Sequence, residues 1–263
     1  MKTQKIAEHI IEWLKTYASK AGVKGFVVGV SGGIDSAVTS TLCALTGLPT
    51  ICVEMPIHQH PDQVNRAQEH IAQLSKRFEH VSGQRVDLTQ SFDVFKETVP
   101  NTDNDFLLNL TLANTRARLR MTTLYYIAGI NSSLVAGTGN KVEDFGVGFY
   151  TKYGDGGVDL SPIADLMKSE VFALGAYLDV PAAIQNAAPT DGLFGDSRTD
   201  EDQLGASYDE LEWAMKQKEE GKNEDHFTAR EKEVFLIYSK LNGANQHKMN
   251  PIPVCEIPKQ WKS

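Results

Sequence analysis

Hydrophobic positions along the chain follow two patterns in turn, one typical of helices and one typical of buried strands. Apolar residues recur about every four positions from Ile6 to Ala18, which predicts an amphipathic first helix that ends near Gly22. Short and nearly continuous apolar runs instead predict strands at residues 25–30, 50–55, 85–88 and 132–137. Helical patterns separate and follow these runs at residues 36–46, 61–78, 89–98, 105–130 and 168–179, and at about 203–219 and 228–241.

The alternation of strands with helices predicts parallel βαβ units, and apolar strands suit a sheet that is covered on both faces. We therefore expect an α/β fold with a doubly wound parallel sheet flanked by helices, followed by a helical C-terminal part. Residues 1–263 contain no internal repeat and no low-complexity linker, so we expect a single domain. Ligands in such folds bind beyond the carboxyl ends of the strands.

The composition narrows the class of protein. Of the 263 residues, 41% are hydrophobic and 23% are charged, which is ordinary for a globular protein. The formal net charge is −8, whereas nucleic-acid-binding domains are usually basic, so we expect no nucleic acid partner. The chain lacks an apolar run of about 18 residues and a signal-peptide pattern, and its three cysteines are scattered. We expect no membrane association, no zinc site, no disulfide framework and a cytoplasmic location.

The segment GVSGGIDS, residues 29–36, follows the first predicted strand and leads into a helix. Glycines in such a turn let the backbone approach a phosphate, and free N–H groups at the start of the helix point at the anion. Ser31 and Ser36 add hydroxyl donors. Asp35 would repel a phosphate, which makes sense if Mg²⁺ stands between the two. The segment has neither the GxGxxG spacing of a dinucleotide fingerprint nor the GK[ST] ending of a Walker A loop.

The stretch SGGIDS resembles the pyrophosphate-binding loop of the ATP pyrophosphatase (PP-loop) superfamily. Members of this superfamily cleave ATP between the α- and β-phosphates and activate an acceptor by adenylylation. The alternative for the isolated segment is an ordinary glycine-rich turn in which Asp35 and Ser36 cap the helix.

Further segments together resemble the ammonia-dependent NAD⁺ synthetases, and the resemblance covers nearly the whole chain. These segments are LANTRARLRM (112–121), GTGNKVED (137–144), GFYTKYGDGGVDLSPI (148–163), LMKSEVFALG (166–175), APTDGLFGDSRTDEDQLG (188–205) and HKMNP (247–251). The resemblance implies an adenine nucleotide alpha hydrolase-like fold and an AMP-forming ligase with Mg²⁺ as cofactor.

The implied reaction is the amidation of deamido-NAD⁺, the final step of NAD⁺ biosynthesis. The nicotinate carboxylate would attack ATP to give an acyl adenylate and diphosphate, and ammonia would then give NAD⁺ and AMP. No stretch is left for a glutaminase domain, so ammonia is the expected nitrogen donor. The resemblance also implies a homodimer, with the first helix and the arginine-bearing helix as candidate interface elements.

The resemblance further implies a role for individual residues. The implied ATP-binding residues are Gly29, Val30, Ser31, Gly32, Gly33, Ile34, Asp35, Ser36, Thr138, Lys168 and Thr190. The implied metal ligands are Asp35 and Glu143. The implied deamido-NAD⁺-binding residues are Arg118, Lys152, Asp159, His247 and Lys248.

The chain departs from the family in one of these motifs. Many relatives carry GTDHAAE where this chain has GTGNKVE, so Thr138 and Glu143 are retained while Asn140 and Lys141 replace other residue types. This departure leaves the contacts between the two retained residues open.

Three arginines alternate along the long predicted helix. At about 100° per residue, Arg116 and Arg120 share a face while Arg118 points elsewhere, so a straight helix cannot direct all three into one small pocket. Arg118 matches the substrate arginine of the family. The other two are expected to pair with acids, meet a partner subunit or form an exposed basic face.

Two other functions stay open at this point. One is another PP-loop enzyme that amidates or thiolates its substrate. The other is a non-catalytic adenine-nucleotide-binding protein on the same fold, which would not need Asp35 together with Glu143. The polar segment 192–205 is expected to be mobile and to become ordered over the ligand.

Overall fold

The computed structural model describes residues 1–190 and 199–262. Its centre is a four-stranded parallel sheet in the order β3-β2-β1-β4. The strands are β1 (Gly25–Gly29), β2 (Thr50–Glu54), β3 (Val81–Arg85) and β4 (Ser133–Val135). In the register, Phe26 of β1 lies between Thr50 and Leu134. The chain runs outward from β1 to β3 and then crosses to β4, so a crevice opens at the carboxyl ends of β1 and β4.

Helices follow the strands and continue to the C-terminal part. They are α1 (Thr3–Ala21), α2 (Ile34–Leu45), α3 (Pro61–Arg77), α4 (Thr89–Thr98), α5 (Asp105–Asn131), α6 (Lys168–Tyr177), α7 (Ala182–Gln185), α8 (Asp200–Leu204), α9 (Tyr208–Glu219), α10 (Ala229–Ala244) and α11 (Gln246–Met249). A π-helical turn occupies Val142–Val147, and short 3₁₀ turns occupy Glu224–His226 and Lys259–Trp261. Among these helices, none combines the length and hydropathy that a bilayer crossing requires.

The sheet is covered on both faces, as the apolar strands predict. One face of β1 packs with Phe26 and Val28 against α1, α2 and α6, which contribute Leu14, Leu42 and Leu174. The opposite face packs against α4 and α5 in a second hydrophobic cluster that contains Val27, Ile51, Val53, Phe92 and Ile127. The doubly wound α/β fold is therefore confirmed.

The C-terminal helices have a hydrophobic core of their own. Val142 and Val147 of the π-helical turn pack with Leu211 of α9 and Tyr238 of α10, and Met167 joins them just before α6. This cluster fixes the π-helical turn, which carries Glu143, against the end of the sheet.

Three predicted elements differ from the structure. The strand predicted at residues 85–88 lies at Val81–Arg85, because β3 is an edge strand with four exposed residues and so lacks an apolar run. The predicted helix 203–219 is two helices, α8 and α9, which separate where Gly205 adopts a φ of 76°. The stretch after residue 140, predicted as a loop, begins with the π-helical turn. Of the polar segment, residues 192–198 lie outside the described residues.

Candidate active site

The β1–α2 loop is built to bring backbone N–H groups close to an anion. Gly32 has a φ of 85°, and a Cβ atom there would lie 2.5 Å from the carbonyl oxygen of Gln63 on α3. Gly33 is the N-cap residue of α2 and has no side chain with which to cap the first N–H groups. The hydroxyls of Ser31 and Ser36 lie 3.2 Å apart on the same loop. Helix N-termini of this kind favour phosphate groups.

Asp35 does not cap the helix, contrary to the alternative of an ordinary turn. Helix α2 begins at Ile34, two residues before the predicted start, which places Asp35 in the first turn. Its Oδ1 accepts a hydrogen bond from Asn140 Nδ2 at 3.0 Å, and its Oδ2 lies 2.6 Å from Lys168 Nζ. The side chain is thus directed toward the other segments of the site.

Lys168 joins the two carboxylates that the resemblance implies as metal ligands. Its Nζ contacts Asp35 at 2.6 Å and Glu143 Oε1 at 2.9 Å, and only 3% of the residue is exposed. As the first residue of α6, Lys168 stands at the positive end of the helix dipole, so two carboxylates beside it are needed to stabilise its charge.

Two residues that the sequence analysis did not assign complete this cluster. The amide oxygen of Asn140 accepts hydrogen bonds from the N–H groups of Val142 and Glu143, so Asn140 connects the π-helical turn with Asp35. The hydroxyl of Tyr208 donates to Glu143 Oε1 at 2.6 Å. The Asn140 that replaces another residue type in the GTGNKVE motif therefore has a direct role in holding both carboxylates.

Burial and the shared lysine act against each other on the pKa values of this cluster. Burial opposes ionisation of Glu143, but the charge of Lys168 and the hydrogen bond from Tyr208 hold its pKa below its ordinary value. Burial raises the pKa of Asp35, and Lys168 opposes this effect. Burial disfavours the charged form of Lys168, but its two carboxylate partners raise its pKa above the ordinary value. The cluster is thus stable only as a unit.

A cavity of about 260 Å³ opens beside the loop and the cluster. Every residue predicted to bind ATP or Mg²⁺ lines this cavity, namely Gly29, Val30, Ser31, Gly32, Gly33, Ile34, Asp35, Ser36, Thr138, Glu143, Lys168 and Thr190. The lining also contains residues to which the sequence gave no binding role, among them Glu54, Arg66, Arg120, Asp155 and Asp200. Arg120, Asp155 and Asp200 lie in segments that carry the family resemblance, whereas no local motif marks Glu54 of β2 or Arg66 of α3, because the fold alone brings these two side chains to the cavity.

The residues predicted to bind deamido-NAD⁺ do not line this cavity. Lys152 Nζ donates to the carbonyl oxygen of His247, and Arg118 donates to the carbonyl oxygen of Lys152 at 3.4 Å. Lys248 Nζ donates to the carbonyl oxygens of Gly148 and Tyr150, both at 2.8 Å. Four of the predicted residues thus gather around the 148–152 segment and α11.

Asp159, the fifth of these residues, lies apart from them. Its Oδ2 accepts a hydrogen bond from the N–H of Val135 at 2.8 Å, and its Oδ1 accepts one from the Tyr125 hydroxyl at 3.0 Å. This carboxylate therefore joins β4 to α5 rather than the group around Lys152.

The other two arginines of α5 share a face, as predicted. Arg116 lies over the ring of Phe92, with 4.3 Å between the guanidinium carbon and the ring centroid. Arg120 donates to the carbonyl oxygen of Met55 at 3.0 Å and to Gln59 Oε1 at 2.7 Å, and it lines the cavity. Arg120 is therefore half-buried rather than part of an exposed basic face, and its pairing with an acid or with a partner subunit stays a prediction.

The side chains of this site suit Mg²⁺, which shares its ligands with substrate and water, better than a metal ion whose ligands all come from the protein. Within residues 1–190 and 199–262 there is no group of three or more His, Cys, Asp or Glu side chains that could hold a metal ion. Asp35 and Glu143 instead offer two carboxylates that contact the same lysine. Mg²⁺ is usually bound in this way, by one or two carboxylates together with substrate phosphates and waters.

Comparison with known proteins agrees with this geometry. The family model described as NAD synthase matches residues 6–252. The chain is 35% identical over 259 residues to the NH(3)-dependent NAD(+) synthetase of Alkaliphilus metalliredigens, with 94% of this chain and 96% of that protein covered. It is 34% identical over 265 residues to the enzyme of the same name from Methanosarcina acetivorans, with 98% and 100% covered.

Two solved structures have the same fold over almost their full length. The NMN synthetase from Francisella tularensis superposes with a TM-score of 0.82 at 29% identity, and 98% of this chain and 99% of that chain are covered. The NH3-dependent NAD synthetase from Campylobacter jejuni superposes with a TM-score of 0.78 at 26% identity, with 97% and 100% covered. The chain therefore belongs to the NAD synthase family.

Proposed function

We propose that the chain is an ammonia-dependent NAD⁺ synthetase, which uses ATP to convert deamido-NAD⁺ into NAD⁺ with release of AMP and diphosphate. The observation that carries this proposal is the buried cluster of Asp35, Glu143 and Lys168 at the mouth of the β1–α2 loop. A protein that only binds an adenine nucleotide would have no need for two buried carboxylates beside a phosphate loop. Membership of the NAD synthase family supports the identity of the substrates.

The loop and the cluster have different roles toward ATP: the loop binds phosphates, and the cluster provides the metal ligands. The N–H groups at the start of α2 and the hydroxyls of Ser31 and Ser36 bind the β- and γ-phosphates. Asp35 and Glu143 would hold Mg²⁺, which neutralises phosphate charge when bound. Lys168 keeps the two carboxylates in position and adds a positive charge beside the phosphates.

The chemistry then needs alignment more than acid–base catalysis. A nicotinate carboxylate oxygen bonds to the α-phosphorus while the bond from that phosphorus to the bridging oxygen of diphosphate breaks. The nitrogen of ammonia next bonds to the acyl carbon, the C–O bond to AMP breaks, and one proton is released. The loop stabilises the leaving diphosphate during the first of these steps.

A turnover assay tests the proposal. The protein is incubated with ATP, Mg²⁺, ammonium and deamido-NAD⁺, and we expect NAD⁺ and AMP in equal amounts. Replacing deamido-NAD⁺ with xanthylate tests for a different PP-loop amidating enzyme. Nucleotide binding without AMP formation would instead support a non-catalytic protein.

A second candidate substrate is nicotinate mononucleotide. The Francisella tularensis structure of the same fold is named an NMN synthetase, and the amidated group is the same carboxylate in both reactions. Comparing kcat/KM for deamido-NAD⁺ and nicotinate mononucleotide decides between them. We expect deamido-NAD⁺ to be preferred, because four predicted dinucleotide-binding residues gather around the 148–152 segment.

We also infer a homodimer and a cytoplasmic location. Tyr126 and Ile130 lie one turn apart on α5 and are 69% and 68% exposed, and neighbouring exposed apolar side chains favour a protein–protein interface. Sedimentation analysis of Tyr126→Lys would detect the loss of a dimer. Cys43, Cys52 and Cys255 are all unpaired, as is usual in a reducing compartment.

A further inference from the structure

Acidic side chains outnumber basic ones among the described residues that line the cavity, although the proposed ligand is itself a polyanion. Among the described residues that line it, the cationic ones are Arg66, Arg120 and Lys168, whereas the acidic ones are Asp35, Glu54, Glu143, Asp155 and Asp200. Lys168 is paired with two carboxylates, and Arg120 is held by the β2–α3 connection. Even with the Mg²⁺ proposed above, a triphosphate would be stabilised by a further cation on the side of the β1–α2 loop.

Arg66 lies where it can supply this positive charge, beside the β1–α2 loop. It lies on α3, and its Nε donates a hydrogen bond to the carbonyl oxygen of Gly32 at 3.2 Å. In the described part of the chain, no carboxylate lies within ion-pair distance of its guanidinium. Its backbone is also fixed, because α3 packs so closely on the loop that Gly32 has no room for a side chain.

We propose that Arg66 is a catalytic residue that binds the departing diphosphate, which deepens the function proposed above and rests on it. The Nε group orients the guanidinium on the loop, and the two terminal amino groups then donate to phosphate oxygens. Such charge-assisted hydrogen bonds are shorter and stronger than neutral ones, and the planar fork suits phosphate geometry. The negative charge on diphosphate grows as it leaves, so the interaction is strongest in the transition state.

A purely structural role for Arg66 makes a different prediction. If the side chain only tied α3 to the loop, its removal would weaken every ligand of the cavity and the fold together. If it binds diphosphate, its removal weakens diphosphate selectively and leaves AMP unaffected, because AMP carries only the α-phosphate.

The decisive experiment is titration calorimetry with Mg²⁺-diphosphate and, separately, with AMP. For Arg66→Met we expect the Kd of diphosphate to rise about tenfold or more, while the Kd of AMP changes by less than about twofold. Arg66→Lys keeps the charge without the fork and is expected to recover part of the affinity. Lys76→Met is the matched control, because it removes one exposed positive charge from the same helix about 15 Å farther along.

Rescue of turnover by added guanidinium in Arg66→Ala provides a readout that a structural role would not give. An unchanged diphosphate Kd in Arg66→Met and Arg66→Lys, or an equal loss for diphosphate and AMP, would overturn the proposal. The calorimetry contains no deamido-NAD⁺, so its result is independent of which acceptor the enzyme amidates. If amidation of deamido-NAD⁺ fails in the wild-type protein, the proposed function fails while the role of Arg66 is still decided.

Discussion

The two predicted binding regions of this protein are built in different ways. At the phosphate end, Asp35, Glu143 and Lys168 come from three distant segments and are largely removed from solvent, and both carboxylates contact the lysine directly. At the dinucleotide end, Arg118 and Lys152 lie near the surface and contact backbone carbonyl oxygens rather than acids. In one region the charges are thus buried and paired with one another, and in the other the cations lie near the surface and contact backbone carbonyl oxygens.

This difference indicates how each region meets its ligand. Buried charges are tolerated only when they are paired, so the phosphate end is fixed before a nucleotide arrives. A surface lysine or arginine can exchange a carbonyl oxygen for a substrate oxygen at little cost, because water already solvates both. Four substitutions test this comparison.

Lys168→Met tests whether the phosphate end is a single unit. The substitution leaves Asp35 and Glu143 close together without their shared cation, so we expect the free energy of unfolding to fall by about 3 to 5 kcal/mol. The measurement is urea denaturation at neutral pH in the absence of nucleotide. Lys152→Met is the matched control and should cost less than about 1 kcal/mol. Equal losses in the two variants would contradict the comparison.

Asp35→Asn separates catalysis from stability at the same end. The amide keeps the size of the side chain but loses the charge that would hold Mg²⁺, so we expect the rate of diphosphate release to fall about 10²- to 10³-fold. This loss corresponds to about 3 to 4 kcal/mol in the activation barrier. Far-UV circular dichroism should still report the native fold. A variant that forms AMP at the normal rate would exclude the metal-binding role.

His70 is expected to make the free energy of unfolding depend on pH, because it is buried between α3 and α2, the two helices beside the β1–α2 loop. Its Nε2 lies 2.8 Å from the Ser40 hydroxyl between α3 and α2, and burial lowers its pKa from 6.5 to about 4. Between these two values the unfolded chain binds more protons than the folded one. The stability is therefore complete above pH 6.5 and falls by about 3 kcal/mol as the pH drops from 6.5 to 4.

Comparing the wild-type protein with His70→Gln isolates this effect. Urea denaturation at pH 7, 5.5 and 4.5 should give a smaller loss of stability in the variant than in the wild-type protein. His247→Gln, which removes an exposed histidine at the dinucleotide end, serves as the control. Parallel pH profiles for the wild-type protein and His70→Gln would contradict the buried, neutral state of His70.

The sequence was sufficient for those parts of the site whose chemistry is local. In SGGIDS the glycines, serines and Asp35 lie in one turn, so their types and spacing predicted the form of the loop, while the phosphate assigned to it stays a prediction. The partners of these residues lie 105 positions away in the case of Asn140 with Asp35, and 65 in the case of Tyr208 with Glu143. No local pattern encodes such contacts, because they depend on how the C-terminal helices pack on the sheet.

The fold was likewise predictable where local patterns determine the structure, and not where contacts between distant segments determine it. Apolar strands and periodic helices indicated the doubly wound sheet, because both patterns arise from burial on a known face. Strand β3 was misplaced because only Val81 among its five residues is buried, so its pairing with β2 rather than its side chains defines it. The sequence did not mark Arg66 as a site residue for a related reason. It is one of many polar residues on α3, and only the folded structure places it beside the β1–α2 loop.

Arg118→Ala is the smallest change and tests the dinucleotide end alone. The exposed guanidinium donates to the carbonyl oxygen of Lys152 and lies outside the cavity that the predicted ATP-binding residues line. We expect the KM for deamido-NAD⁺ to rise about tenfold, which corresponds to about 1.4 kcal/mol of lost binding, while the KM for ATP changes less than about twofold. Steady-state kinetics with each substrate varied in turn provides both values. Similar increases for the two substrates would mean that Arg118 is coupled to the phosphate end, and that the two regions do not bind their ligands independently.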